Sequence, residues 1–148
     1  MKIKTLVSVL VPDIINSFSS TFNETTEAEI AILFDRWNQS LQTGNPDKVV
    51  ANYAKDAILL PTRSNIPRTN HQEIRDYFEY FLKQKPVAVI NMRVIRIGRN
   101  SATDSGLYTF TLTKNGKTVE VPARYTFEYE YINGKWMIVG HHSSIMPE

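Results

Sequence analysis

The chain has 148 residues, 42% of them hydrophobic and 22% charged, which is typical of one folded globular domain. Its 17 basic and 15 acidic residues are spread along the chain and leave a net charge of +2, which argues against a nucleic-acid partner. Cysteine is absent, and its absence excludes disulfides, thiolate nucleophiles and cysteine-bound metals.

Residues 1–24 are predicted to be an N-terminal extension, partly disordered or a short helix, ahead of one domain at 25–148. Lys2 and Lys4 precede a short apolar run that Pro12 ends, a pattern that only faintly imitates a secretory signal. No apolar stretch approaches the roughly 20 residues of a membrane span. We expect a cytoplasmic protein with no membrane partner, and a signal-like remnant is the alternative.

The first predicted helix begins at a capping box. Thr26 and Glu29 have the spacing at which a hydroxyl and a carboxylate accept hydrogen bonds from each other's exposed amides. The apolar residues that follow recur at helical spacing up to Gly44; they are Ile30, Leu33, Phe34, Trp37 and Leu41. Asn45 and Pro46 predict the cap and first residue of a second short helix, which buries Val49, Val50 and Tyr53.

A strand and a third helix come next. The apolar run at 57–60 stops at Pro61 and predicts the strand. Asn70 and Glu73 repeat the capping spacing, and the helix is expected to end before Pro86. Its inward stripe is Ile74, Tyr77, Phe78 and Phe81.

From Val87 onward the apolar pattern alternates, which predicts four antiparallel strands. Asn-Gly pairs at 115–116 and 133–134 tolerate the positive φ of tight hairpin turns. The strand at 117–132 is far longer than the usual ~5–6 residues, and Pro122 within it predicts a bend or a bulge. Helices followed by consecutive strands indicate the α+β class, with three N-terminal helices packed on a curved antiparallel sheet.

The long strand separates an aromatic face from a charged face. The aromatic face is predicted to meet the helices; it carries Val119, Val121, Ala123, Tyr125, Phe127, Tyr129 and Tyr131. The strand at 87–97 is apolar on both faces, and three helices are too few to cover both sides of the sheet. We therefore predict a homo-oligomer that forms through the outer face.

Two of the three histidines lie in the last strand. Strict alternation places His142 and Ser144 on the face of Trp136 and Ile138, and His141 on the other face. His142 is then either a general base inside the fold or a structural histidine at the end of the core. Adjacent histidines on a strand point apart, so we expect no metal site, no Ser-His hydrolase and no cofactor.

The interior is predicted to be aromatic, as a packed core or as the wall of a ligand pocket. The residues assigned to it are Trp37, Tyr53, Phe78, Tyr125, Phe127 and His142. Arg124 lies among aromatic neighbours, where a guanidinium could receive a carboxylate or anchor a subunit contact. Arg124 and Ser144 are therefore predicted as polar residues of a pocket or an interface.

Four segments carry a resemblance to a known family: LQTG at 41–44, ANYAKDA at 51–57, NGKW at 133–136 and HHSSIMP at 141–147. On these, the chain from about Thr26 to Glu148 resembles the nuclear transport factor 2-like, SnoaL-like superfamily. Within that superfamily it is most similar to the association (hub) domain of calcium/calmodulin-dependent protein kinase II and its bacterial stand-alone relatives. The resemblance implies a cone-shaped, cystatin-like barrel with a pocket, which assembles through its sheets into homodimers and, in the kinase hub, into larger rings.

Two sets of functional residues in the superfamily do not carry over to this chain. Thr109 and Phe127 stand where the kinase hub has carboxylate-binding arginines. Trp37, and Leu60 or Pro61, stand where ketosteroid isomerases have a tyrosine and a base. No kinase domain is present, so no kinase activity is expected from this chain.

The sequence favours a non-catalytic, oligomeric, association-domain-like module that could bind a small molecule in its cone. The alternative is a small isomerase, dehydratase or hydrolase that uses His142 with Arg124 or Tyr125. An open pocket beside His142 would support the enzyme, whereas a filled interior would support a purely structural assembly domain.

Overall fold

The computed structural model describes residues 24–148, and in this range three helices pack on one five-stranded sheet. The helices are α1 (Glu27–Gln42), α2 (Pro46–Val50) and α3 (His71–Phe81), and a 3-10 turn at Leu82–Gln84 follows α3. The strands are β1 (Tyr53–Leu60), β2 (Val87–Ile97), β3 (Ser101–Lys114), β4 (Lys117–Ile132) and β5 (Lys135–Ile145). No helix among these residues has the length and apolar character needed to cross a membrane. The predicted extension at 1–24 lies, apart from Glu24, outside the described residues.

Each helix begins where its capping residues predict. The hydroxyl of Thr26 accepts a hydrogen bond from the amide of Glu29 at 3.2 Å, and the Glu29 carboxylate accepts one from the amide of Thr26 at 2.6 Å. The side-chain oxygen of Asn45 caps α2 by accepting from the amide of Asp47, and that of Asn70 caps α3 by accepting from the amide of Glu73. Local hydrogen bonding between neighbours in the chain is therefore enough to place these three ends.

The sheet has the strand order β1-β5-β4-β3-β2. Strands β2 to β5 pair antiparallel, as the alternating pattern predicts, whereas β1 pairs parallel with β5. The Asn-Gly pairs at 115–116 and 133–134 form the two predicted turns with positive φ at both residues. Tyr53, predicted on the buried face of α2, is instead the first residue of β1, and it is fully buried.

Bulges lie in β2 and β5, and none lies at Pro122. The pairing of β3 with β4 passes Pro122 without a shift of register, so the predicted alternative of a bulge there is wrong. Asn91 is the extra residue of β2, and Val139 is the extra residue of β5. A bulge bends its strand and increases the twist, so these two positions contribute to the curvature of the sheet.

Gly106 in β3 allows the bulged part of β2 to approach closely. A Cβ atom at this position would lie 1.9 Å from the backbone oxygen of Met92 and 2.9 Å from the Cα of Arg93. Both atoms belong to the backbone and cannot rotate away. A glycine is therefore required opposite the Asn91 bulge.

We expect Gly106→Ala to lower the free energy of unfolding by about 2–3 kcal/mol, because the backbone at the bulge must move to admit the methyl group. Thr111→Ala, on the outer face of the same strand, is the matched control and should cost well under about 1 kcal/mol. Urea unfolding of the two variants measures the difference. Equal losses would contradict the close approach of β2 to Gly106.

The core between helices and sheet is largely aromatic. Phe127 stacks on the ring of His141 with 4.0 Å between ring centroids and meets Trp37 edge-on at 5.2 Å. The ring centroids of Tyr108 and Tyr125, on neighbouring strands, lie 4.6 Å apart. Such pairs add packing energy beyond the burial of their surface, so this cluster holds α1 against β3, β4 and β5.

The predicted aromatic face of β4 is buried only in the middle of the strand. Tyr125, Phe127 and Tyr129 are each at most 4% exposed. Val119 and Tyr131, near the two ends, keep 45% and 48% of their surface exposed. The helices cover the centre of this long strand, and the predicted burial of its ends is wrong.

Candidate functional site

The last strand presents His141, and not His142, to the interior. Alternation holds up to Val139, but that bulged residue adds one position and reverses the faces of all residues after it. His141 is consequently only 4% exposed, while His142 is exposed on the other face. The prediction that His142 and Ser144 face inward is therefore wrong, and Ser143 is the buried serine.

A directed chain of hydrogen bonds passes through His141. The indole N–H of Trp37 donates to the hydroxyl of Tyr53 at 3.0 Å, and that hydroxyl lies 2.8 Å from Nδ1 of His141. In the tautomer with the imidazole proton on Nε2, the Tyr53 hydroxyl accepts from Trp37 and donates its own proton to Nδ1. Nε2 is 3.5 Å from the hydroxyl of Tyr108, which donates to Ser143 Oγ at 2.6 Å.

Burial sets the protonation of this network. Burial, with a smaller contribution from the neighbouring His142, lowers the pKa of His141 from 6.5 to about 3. Burial also raises the pKa of the Tyr53 and Tyr108 hydroxyls. All three groups are neutral at pH 7. The network therefore fixes the orientation of its side chains but offers no charged acid or base.

The space beside the network is small. A cavity of about 10 Å³ lies between α3 and the sheet, with room for about one water molecule. Among the predicted pocket residues, Trp37 and Phe78 line this cavity. Tyr53, Tyr125 and Phe127 are buried in the packed core instead. Within residues 24–148, side chains therefore occupy most of the interior that the sequence predicts as either core or pocket.

A second polar cluster lies elsewhere in the interior, around Asp104 of β3. Asp104 is 0% exposed, and its carboxylate accepts hydrogen bonds from Arg93 at 2.5 and 3.3 Å and from the Tyr125 hydroxyl at 2.8 Å. The Arg93 guanidinium also lies over the ring of Phe34, 5.7 Å from its centroid. Burial and the neighbouring Asp104 raise the pKa of Tyr125, so it remains a donor. The buried charge of Asp104 is thus matched by one cation and one hydroxyl.

Sequence reasoning did not single out Asp104, although a signal for it was present. Asp104 lies four residues before Tyr108 and six before Phe110, and residues an even number of positions apart share a face of a strand. Its carboxylate therefore lies on the inward face of β3. Its partner could not be found in the same way. The bulge at Asn91 changes the face of the residues that follow in β2 and turns Arg93 inward.

The remaining predicted polar residues, Arg124, His142 and Ser144, lie on the outer face of the sheet. Arg124 pairs with Ser144, and Thr126 pairs with His142, across β4 and β5. An open groove of about 270 Å³ lies beside His142 and Glu128. Arg124 is exposed on this face, which excludes the pocket alternative of its prediction and leaves the interface alternative untested. Across residues 24–148, no group of three or more His, Asp or Glu side chains could hold a metal ion.

Large apolar side chains lie exposed at both margins of this outer face. Val89, Met92 and Val94 of β2 keep 58%, 52% and 47% of their surface exposed. Ile58 and Leu60 of β1, at the opposite margin, keep 42% and 37%. The face therefore has a polar centre, on β4 and β5, between two apolar margins.

Comparison with known proteins agrees with this arrangement of helices and sheet. The sequence model of the calcium/calmodulin dependent protein kinase II association domain matches residues 26–147. The chain belongs to this association domain family. A solved association domain of the same kinase type from Xanthomonas campestris is 55% identical over 84% of this chain and 91% of that one, with a TM-score of 0.81. No protein with a curated description matches the chain.

More distant structures share the fold of this association domain. The calcium/calmodulin-dependent protein kinase II hub homology domain of Chlamydamonas reinhardtii is 18% identical, covers 81% of this chain and 98% of its own, and has a TM-score of 0.66. A nuclear transport factor 2-like protein with a cystatin-like fold from Novosphingobium aromaticivorans is 10% identical, covers 80% of each chain and has a TM-score of 0.69. The predicted family and the predicted α+β, cystatin-like fold are confirmed.

Proposed function

We propose that this association domain is a non-catalytic module that binds a second copy of itself through the outer face of its sheet. The observation that carries the proposal is the pair of exposed apolar margins, Val89, Met92 and Val94 on one side and Ile58 and Leu60 on the other. Exposed apolar patches of this kind mark interaction surfaces in soluble proteins. The family name supports an associating function.

The filled interior supports this reading over an enzyme that works inside the cone. His142 lies outside, and the cavity beside His141 has room for about one water molecule. Around this cavity, the residues that could act as an acid or base, His141, Tyr53 and Tyr108, are held neutral by burial. A small organic substrate would have to displace packed aromatic side chains in order to enter.

The charges at the centre of the face suit a symmetric pair. Arg124 and Glu128 lie on the same outer face of β4, four positions apart, and both are exposed. In a two-fold symmetric interface each surface meets its own copy in the opposite direction. Arg124 of one copy can then face Glu128 of the other, while the apolar margins are buried around them.

Sedimentation velocity at micromolar protein concentration tests the proposal. The unchanged protein should sediment as a dimer or a larger assembly, and Val94→Glu should shift it toward monomer because a carboxylate would be buried at the interface. Ile32→Glu is the matched control: Ile32 is 60% exposed on α1 and away from the sheet face. That variant should assemble as the unchanged protein does.

Charge reversal gives a second, more specific test of the same interface. Arg124→Glu alone should weaken assembly, and Arg124→Glu combined with Glu128→Arg should restore it. A monomeric unchanged protein would contradict self-association as the function. Assembly that is insensitive to Val94→Glu and to Arg124→Glu would place the interface elsewhere on the molecule.

A further inference from the structure

A cleft of about 370 Å³ lies on the helical side of the molecule, between the loop that joins β1 to α3 and the last turn of α3. We call it the arginine cleft; its walls include Arg63, Arg68, Tyr77, Tyr80, Phe81 and Gln84. Its volume falls within the range of small-molecule sites, roughly 300–1,000 Å³. Tyr77 and Phe81 also line the small interior cavity, so these two rings separate the cleft from the core.

The cleft carries positive charge and contains no acidic side chain among the described residues that line it. Arg68 is held in place by the backbone oxygens of Ile66 and Glu73 and by the hydroxyl of Ser64, at 3.2 to 3.4 Å. The Arg63 side chain is exposed and forms no ion pair within residues 24–148, so its guanidinium is available to a ligand. A guanidinium presents parallel N–H groups that match the two oxygens of a carboxylate.

The remaining walls of the cleft are aromatic or polar. Tyr80 is 70% exposed, and Phe81 is buried behind it. The Arg68 guanidinium lies over the ring of Tyr77, 5.7 Å from its centroid, which orients both groups. Oε1 of Gln84 is buried and receives no hydrogen bond from residues 24–148, an unusual state for a buried polar atom.

The positive charges of Arg63 and Arg68 both influence the pKa of the Tyr77 hydroxyl. Burial raises the pKa of Tyr77 to about 12, and the backbone and charge of Arg63, together with the charge of Arg68, oppose that rise. Tyr77 therefore remains protonated at pH 7. Two guanidinium groups and one phenol converge on the same cleft.

We propose that the arginine cleft binds a small aromatic carboxylic acid. The carboxylate pairs with the free guanidinium of Arg63 beside the fixed charge of Arg68, and the ring of the ligand packs against Tyr80 and Phe81. A ligand that matches these walls needs both a negative charge for the arginines and an apolar ring for the aromatic side chains. The site differs from the interior cone, which side chains fill, and from the outer face of the sheet.

Titration of the isotope-labelled protein with benzoate, followed by two-dimensional amide NMR, tests the proposal. Benzoate should shift the amide signals of Arg63, Tyr80 and Gln84 with a Kd of about 1 mM or below. Acetate has the charge without the ring, and benzyl alcohol has the ring without the charge; each should bind at least about tenfold more weakly. Arg63→Gln should weaken benzoate binding by about tenfold or more.

Arg99→Gln is the matched control, because Arg99 is an exposed arginine in the turn between β2 and β3, outside the cleft. It should leave the affinity for benzoate unchanged. Absence of shifts at the three amides at about 10 mM benzoate would overturn the proposal. So would equal affinity for benzyl alcohol, or equal affinity in the Arg63→Gln variant.

The outcome is independent of the proposed self-association. The cleft lies on α3 and its preceding loop, while the assembly variants change β2 and β4. Val94→Glu should therefore leave benzoate binding unchanged even if it produces a monomer. Loss of binding in Arg63→Gln should leave the sedimentation of the protein unchanged.

Discussion

Asp104→Ala is expected to lower the free energy of unfolding by about 3 kcal/mol, because it breaks a buried ion pair. The change leaves the Arg93 guanidinium without its carboxylate and the Tyr125 hydroxyl without its acceptor, both inside the fold. Removing one member of a buried ion pair typically costs about 3–5 kcal/mol. The lower end applies because the Arg93 side chain keeps 26% of its surface exposed and can recover some hydration.

Urea unfolding at one fixed protein concentration measures this loss, since self-association adds concentration-dependent stability. Glu120→Ala, which removes an exposed carboxylate from β4, is the control and should change stability by less than about 0.5 kcal/mol. The double variant Asp104→Leu, Arg93→Met should recover much of the lost stability, because it removes both charges together. Equal effects of Asp104→Ala and Glu120→Ala would contradict the role of the ion pair.

His141 is expected to make the fold acid-sensitive. Its pKa is 6.5 in the unfolded chain and about 3 when buried. Between these pH values the imidazole is therefore protonated in the unfolded chain and neutral in the folded protein. Stability from this group is complete above pH 6.5 and falls as the pH is lowered toward about 3. The loss is about 1.4 kcal/mol per pH unit, or about 3 kcal/mol over two units.

His141→Gln should remove this part of the pH dependence, because glutamine has no proton to gain. His142→Gln is a matched control one residue away, and since His142 is exposed the variant should keep the slope of the unchanged protein. Comparing variants isolates His141 from carboxylates, which also titrate below pH 5. Unfolding free energies measured between pH 6.5 and 4.5 that fall equally in both variants would contradict the burial of a neutral His141.

Local features of this fold were predictable from the sequence. Thr26, Asn45 and Asn70 each form the helix cap that their spacing indicates. Both Asn-Gly turns lie where positive φ is needed. These features depend on contacts between residues two to four positions apart, so a short stretch of sequence contains all the information required.

The interior polar groups were only partly predictable. Alternation along β3 points Asp104 inward, but it does not identify Arg93 as the partner, because the Asn91 bulge changes the face of that arginine. In the same way, strict alternation along β5 places His142 in the interior, whereas the bulge at Val139 turns His141 inward instead. In each case one extra residue in a strand moves every later side chain to the opposite face.

The amino-acid sequence by itself determined the α+β class, the helix starts, the hairpin turns and the membership of the association domain family. Only the tertiary structure decided which histidine is buried, how Asp104 is neutralised, and that the interior is filled. The physical reason is that a bulge forms where a neighbouring strand accommodates it, as Gly106 accommodates the backbone of Met92. That neighbour lies far away in the chain and becomes adjacent only when the sheet is assembled.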